Sequence, residues 1–170
     1  HDALPICLRP DGDKGPLATP YDGFANYHRD KSWTWEHMAL TRARVIYGPP
    51  DITARLESVI VDTVNRPRDA GTLRHEVAEM RARMRKEHPG QNAWDLKHRP
   101  GGMVDAEFIV EYELLKSRSG PRAAGQGMVA AVADLKAGGH LADDIAANLT
   151  AGLLLWLRLH GGGGVPVPAP

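Results

Sequence analysis

The sequence predicts a mainly α protein, a bundle of helices, and three observations carry that expectation. Apolar residues recur with a period near 3.6 along most of the chain. Proline, glycine and aspartate clusters interrupt the stripes with the polarity of helix starts and stops. The 170 residues are enough for one domain with a buried core.

The elements follow in order. Leu8 to Pro10 reads as the end of a strand, Asp11 to Gly15 as a turn, and Pro16 to Ala18 as a short return strand. Thr19-Pro20 is a cap followed by proline, opening a first helix to about Arg29 that buries Phe24. A second helix is expected from Trp33 to Ile46, stopping at Gly48-Pro49-Pro50. Asp51 caps a third, Ile52 to Val64, with Leu56, Val59, Ile60 and Val64 inward. Asp69 or Thr72 opens a fourth, ending near Glu87, whose stripe Leu73, Val77, Met80, Met84 is a core seam. Trp94 to Lys97 is expected to be extended. Further helices are expected over Met103–Ser117, Met128–Lys136 and Leu141–Leu159. The uncharged GGGGVPVPAP end cannot form a core and is expected to be a disordered tail.

Charge is balanced, with 21 Lys+Arg against 21 Asp+Glu, so bulk electrostatics names no partner. Arg66 to Arg99 is locally basic, nine Lys/Arg against five Asp/Glu. Arg74, Arg81 and Arg85 could meet a phosphate or an acidic surface; without interleaved aromatics or a reader motif they do not indicate nucleic acid. The one cysteine, Cys7, excludes an internal disulfide and fits a reducing cytoplasm. Leu149 to Leu159 is apolar, but it is interrupted by Arg158 and too short to span a bilayer, so no membrane partner is expected.

Candidate chemistry centres on two helices. Trp35, Met38, Arg42 and Val45 share one helical face, so Arg42 sits in an apolar stripe. Asp105 and Glu107 lie among apolar residues in the first turn of the Met103 helix, where the helix dipole favours negative charge. They form a structural ion pair, or position a substrate or partner. A shared metal is disfavoured because residues i and i+2 point about 200° apart on a helix. Arg42 or Arg44 is therefore expected to reach Asp105 or Glu107, with Lys97 or Arg99 as the alternative partner. Losing one partner of a buried pair of this kind should cost about 3–5 kcal/mol. Glu36 and His37 admit two readings, acid–base chemistry or a polar helix edge against a loop. Asp11 and Asp13 lack the closing glutamate of a calcium loop.

Four segments carry a resemblance: LRPDGDKGPLAT from Leu8, WTWEHMALTRARVIYG from Trp33, LRHEVAEMRARMRKEH from Leu73 and DLKHRPGGMVDAEFIVEYELL from Asp95. In order and spacing they resemble the glutamine synthetase adenylyltransferase family, and WTWEH looks more like its C-terminal, AMP-adding half. The resemblance implies a helical bundle, residues 20–160, preceded by the terminal strands of a truncated nucleotidyltransferase domain, residues 8–19. Residues 1–7 would then be a non-native leader and 161–170 a tail. The implied activity is transfer of AMP from ATP to a tyrosine of glutamine synthetase, and its removal, in nitrogen regulation. Mg²⁺ and ATP serve the parent, with none expected on this chain. The implied partners are glutamine synthetase and a PII-type signal protein. Arg9, on a strand that leads into the family's active site, is the best candidate there for contacting nucleotide. The Gly-Ser motif and DxD pair that precede this region in the family do not precede it within the 170 residues, and Pro5 stands where a third aspartate is expected. The chain alone is therefore expected to be inactive. The alternative is a non-catalytic interaction module that binds glutamine synthetase or a PII-type protein.

Overall fold

A computed structural model describes residues 18–89, 95–118 and 127–160. Among them are seven α-helices and no strand: α1 (Tyr21–Asp30), α2 (Thr34–Leu40), α3 (Pro50–Val64), α4 (Ala70–Glu87), α5 (Met103–Ser117), α6 (Met128–Ala137) and α7 (Asp143–His160). The expected strand at Leu8 to Pro10, the leader and the Gly161–Pro170 tail lie outside the described residues. So does the expected return strand, except for Ala18, which is a bend.

The helix punctuation acts largely as the residue types require. Two expected caps are corrected: Pro20 and Pro49, not Thr19 and Asp51, hold the N-cap positions of α1 and α3, without a side-chain cap bond, and Pro50 occupies the first turn of α3, where its missing N–H costs nothing. Asp69 caps α4 by accepting from the Thr72 amide at 2.8 Å. Arg118 ends α5 in the left-handed region at φ 53°.

Two apolar clusters meet at α5. Met38, Leu40, Ile60, Val64, Leu73, Val77 and Leu115 form one, drawn from α2, α3, α4 and α5. Val110 and Leu114 join buried residues of α6 and α7, among them Val132, Leu135 and Leu153, in the other. α5 accordingly packs against α2 and α4 as well as α6 and α7, while α1 packs on α3.

Three further expectations are corrected. The second helix stops at Leu40, not Ile46. The Thr41 hydroxyl bonds the Met38 carbonyl at 2.6 Å, and the amides of Thr41, Arg42 and Ala43 bond three residues back, so the last turn tightens and unwinds. Ile46 and Tyr47, placed on the helix by periodicity, are 87% and 97% exposed in the loop that follows. The seam of α4 is buried only at Leu73 and Val77; Met80 and Met84 are half-buried, and Arg81 is buried instead. Leu96 and Lys97 form a turn, not an extended run.

That turn explains the Pro-Gly-Gly breaker. The amides of Met103 and Val104 donate to the carbonyls of Leu96 and Lys97 at 2.9 and 3.1 Å, folding the 95–102 loop back over the start of α5. Gly101 has φ +76°. At Gly102 a Cβ would collide with the Leu96 carbonyl oxygen and lie 2.8 Å from the Arg99 oxygen. Both obstacles are backbone, which cannot swing aside. Gly102→Ala is therefore expected to cost about 3 kcal/mol, near the top of overpacking penalties. Gly101→Ala, which meets no atom within 4 Å, should cost only about 1 kcal/mol of left-handed strain. Urea unfolding of both variants checks the order, and a larger loss at Gly101 contradicts it.

Candidate functional site

α5 carries three carboxylates in its first nine residues, and three arginines from other elements reach them: Arg42, Arg81 and, at 4.0 Å from Asp105, Arg85. Arg42, just past α2, donates from Nη1 to Glu107 Oε1 at 2.8 Å and sets Nε 3.0 Å from Glu111 Oε1. The expected meeting of Arg42 with Glu107 is thus present. Asp105 goes elsewhere. Its Oδ1 accepts from Nε of Arg81 on α4, and its Oδ2 accepts from the Gly101 amide at 2.6 Å. This one carboxylate ties α4, α5 and the loop between them together. Arg81 also donates from Nη2 to the His98 carbonyl at 3.2 Å.

The two pairs differ in depth. Arg42 is 38% exposed in its side chain and Glu107 21%, whereas Arg81 is only 10% exposed. Solvent screens the Arg42 pair, so the full cost of breaking a buried pair does not apply to it. Arg44 is exposed and makes no ion pair among the described residues, and the same holds for Lys97. Arg9 lies outside the described residues.

Glu111 is the residue that sequence reasoning missed. Burial pushes its carboxyl up to about 8, against a smaller opposing pull from Arg42 and a small push from Glu107. It is therefore largely protonated at neutral pH, which leaves Arg42 and Glu107 as one balanced pair of charges. A signal was available: Val104, Phe108, Glu111 and Leu115 follow helical spacing.

A second polar network joins α1, α2 and α3. Glu36 is buried and accepts from the Trp33 amide and from the Tyr27 hydroxyl, both at 2.8 Å. His37 is buried with Nε2 2.7 Å from the Ser32 hydroxyl and Nδ1 3.2 Å from Arg68 Nη2. A guanidinium can only donate, so Nδ1 accepts and Nε2–H donates to Ser32, whose hydroxyl donates to the His28 carbonyl at 3.1 Å. The tautomer is the wrong one for withdrawing a proton from Ser32, so this is not a nucleophile–base pair. Arg68 also donates to the carbonyls of Thr63, Val64 and Arg66, closing the C-terminal end of α3. Burial, then Arg68 and Arg66, lower His37 to about 3, so it is neutral. Of the two readings of Glu36 and His37, the geometry matches the polar edge held against neighbouring segments. Thr34, His37, Arg66, Arg68, Thr72 and Glu76 line an open pocket of about 230 Å³ beside this network.

Among the described residues no group of three or more His, Cys, Asp or Glu is placed to hold a metal ion. None of the described helices is long and apolar enough to cross a membrane.

The family described as glutamate-ammonia ligase adenylyltransferase matches residues 4–59. Similar curated proteins carry the name bifunctional glutamine synthetase adenylyltransferase/adenylyl-removing enzyme. The one from Mesorhizobium japonicum is 45% identical over 124 residues, 72% of this chain and 13% of its own length. One from Rhodopseudomonas palustris is 48% identical over 115 residues, 67% of this chain and 12% of its own. One from a Bradyrhizobium species is 50% identical over 105 residues, 62% and 11%. The chain is thus a relative of the glutamine synthetase adenylyltransferase family, and it spans about an eighth of the length of the curated relatives it matches.

Two measurements test this geometry. Between pH 4.5 and 8 the folded chain keeps a proton on Glu111 that the unfolded chain has released, so stability falls as pH rises through that window. Between pH 3 and 6.5 the unfolded chain protonates His37 and the folded chain does not, so stability falls as pH drops there. The two slopes oppose each other between pH 4.5 and 6.5, so the net losses fall below 4.5 and from 6.5 to 8. Glu111→Gln should raise stability at pH 7 by roughly 3 kcal/mol and abolish the loss from pH 6.5 to 8. His37→Gln should abolish the loss below pH 4.5. Chemical denaturation across pH 3–9 reads both, and an unchanged slope from pH 6.5 to 8 in Glu111→Gln would falsify the assignment. Double-mutant cycles should also give a larger coupling for Arg81–Asp105, about 2–4 kcal/mol, than for Arg42–Glu107, about 1 kcal/mol. The reverse order contradicts the burial argument.

Proposed function

We propose that this chain is a helical scaffold segment of an adenylyltransferase that moves AMP between ATP and a tyrosine of glutamine synthetase. The single observation that carries the reading is the 45% identity over 124 residues to a protein named for adding and removing adenylyl groups on glutamine synthetase. The motifs behind the resemblance are also the ones that build the central frame. The WTWEHMALTRARVIYG segment delivers Glu36, His37 and Arg42, and GGMVDAEF delivers the 101–102 turn, Asp105 and Glu107.

In this reading the chain positions elements beside the reacting centre and performs no chemistry. Adenylyl transfer on ATP calls for carboxylates that hold Mg²⁺ on the phosphates. The described residues do not fit such a centre. Asp105 is committed to Arg81 and Gly101, Glu107 to Arg42, and Glu111 is buried and protonated. No step on Mg²⁺ or ATP is assigned to these residues. Glutamine synthetase is the proposed protein partner, and the cytoplasm the proposed compartment.

A second reading has its own observation. Ile46 and Tyr47 are almost fully exposed at the rim of the frame, which suits a module that binds glutamine synthetase or a PII-type signal protein without chemistry.

The two separate in one experiment. Purified chain incubated with glutamine synthetase, α-³²P-ATP and Mg²⁺ should transfer no label above a no-protein blank. A polypeptide extended upstream through a Gly-Ser motif and a DxD pair should transfer it. Labelling by the 170-residue chain would sink the scaffold reading. An extended natural gene without those motifs would favour the binding module.

A further inference from the structure

We propose that the Arg81 and Arg85 face of α4, where it meets the 95–102 loop, binds a phosphate group. Arg81 and Arg85 lie one turn apart on α4 and share one carboxylate oxygen. Arg81 Nε donates to Asp105 Oδ1, and Arg85 Nη2 lies 4.0 Å from it. The other oxygen, Oδ2, is taken by the Gly101 amide at 2.6 Å. Among the described residues no other carboxylate lies within 4.0 Å of either arginine, so two guanidinium charges face one carboxylate.

The hydrogen bonding is unfinished in the same place. Arg81 is 8% exposed, with Nε on Asp105 and Nη2 on the His98 carbonyl, yet its buried Nη1 has no hydrogen-bond partner. Nδ1 of His98 is also buried without a partner, and its ring lies 5.1 Å from that of His88. A buried donor without an acceptor is uncommon and costly. A surplus positive charge, an unmet guanidinium N–H and a ring nitrogen able to carry a hydrogen all call for one kind of ligand. It brings negative charge and several acceptor oxygens.

A phosphate group fits better than a carboxylate. It offers several acceptor oxygens and up to two charges, where Arg81 Nη1 is unmet and two guanidinium groups share one carboxylate. The planar fork of arginine suits it. Exposed Lys97 lies in the same loop, where its charge is offset by Asp95, whose carboxylate accepts from the Lys97 and His98 amides. None of this depends on the adenylyl-transfer reading.

The test is a titration of the full chain, labelled with ¹⁵N, at constant ionic strength. Separate arms use inorganic phosphate, ADP and ATP, with chloride as the background anion. Saturable shifts of the Gly101 amide and the His98 ring are expected with at least one of them. Phosphate alone saturating would assign the site to the free ion; about tenfold tighter ATP would assign it to the phosphate end of a nucleotide. Arg85→Gln, at an exposed position that does not threaten the fold, should weaken binding roughly tenfold, the equivalent of one charge-assisted hydrogen bond. Arg85→Lys should recover part of that loss. Arg83→Gln, about 200° around the helix from Arg81 and Arg85, should change affinity less than twofold. Failure of all three anions to saturate the shifts overturns the proposal. So does equal weakening by Arg83→Gln and Arg85→Gln, which would mean diffuse charge attraction and no site.

Discussion

Helix α5 is packed on two sides while carrying Asp105, Glu107 and Glu111, and the rest of the structure depends on how those carboxylates are tolerated. An uncompensated charge in such a position costs several kcal/mol. The chain meets the problem in three ways. Asp105 is joined to a buried arginine and a backbone amide, Glu107 to a half-exposed arginine, and Glu111 keeps its proton. Asp105 recruits α4, while Glu107 and Glu111 both lie against Arg42 in the loop after α2. The charges therefore set where α5 stands among its neighbours more narrowly than apolar contact would alone.

The network around His37 does the corresponding work on the opposite side of α2. Its imidazole links Ser32 in the α1–α2 connection to Arg68 at the end of α3, while Glu36 draws Tyr27 and the Trp33 amide onto the start of α2. A helix of only seven residues is marginal by itself. Here its two ends are held by the Glu36 contacts and by the Arg42 clamp. An α2 held by contacts at both ends is what a scaffold segment needs if neighbouring parts of a longer protein are to be placed reproducibly.

The sequence marked seven helical segments, and the structure has seven among its described residues, with the cap of α4 at Asp69 and the start of α5 at Met103 in the expected places. Periodicity and capping chemistry are local, so they survive in a linear reading. The meeting of Arg42 with Glu107 was legible for a related reason: a cation and a carboxylate each stranded in an apolar stripe point to one another. The end of α2 was not legible. Val45, Ile46 and Tyr47 continue its apolar pattern, yet Arg42 turns out to meet α5 and Thr41 bonds back onto Met38, so the helix unwinds.

What the sequence by itself determined is the order and type of the helices, the glycine turn before α5, and the family to which the chain is related. Each rests on residues close together in the chain or on the wording of contiguous motifs. What only the tertiary structure decided is which carboxylate takes which arginine, and which remains protonated. Asp105 chose Arg81 because α4 brings that guanidinium into the interior beside the 95–102 loop, and Glu111 holds its proton because its side chain lies where water does not reach. Depth from solvent is a property of the packed helices together, and it sets the strength of every charge interaction here.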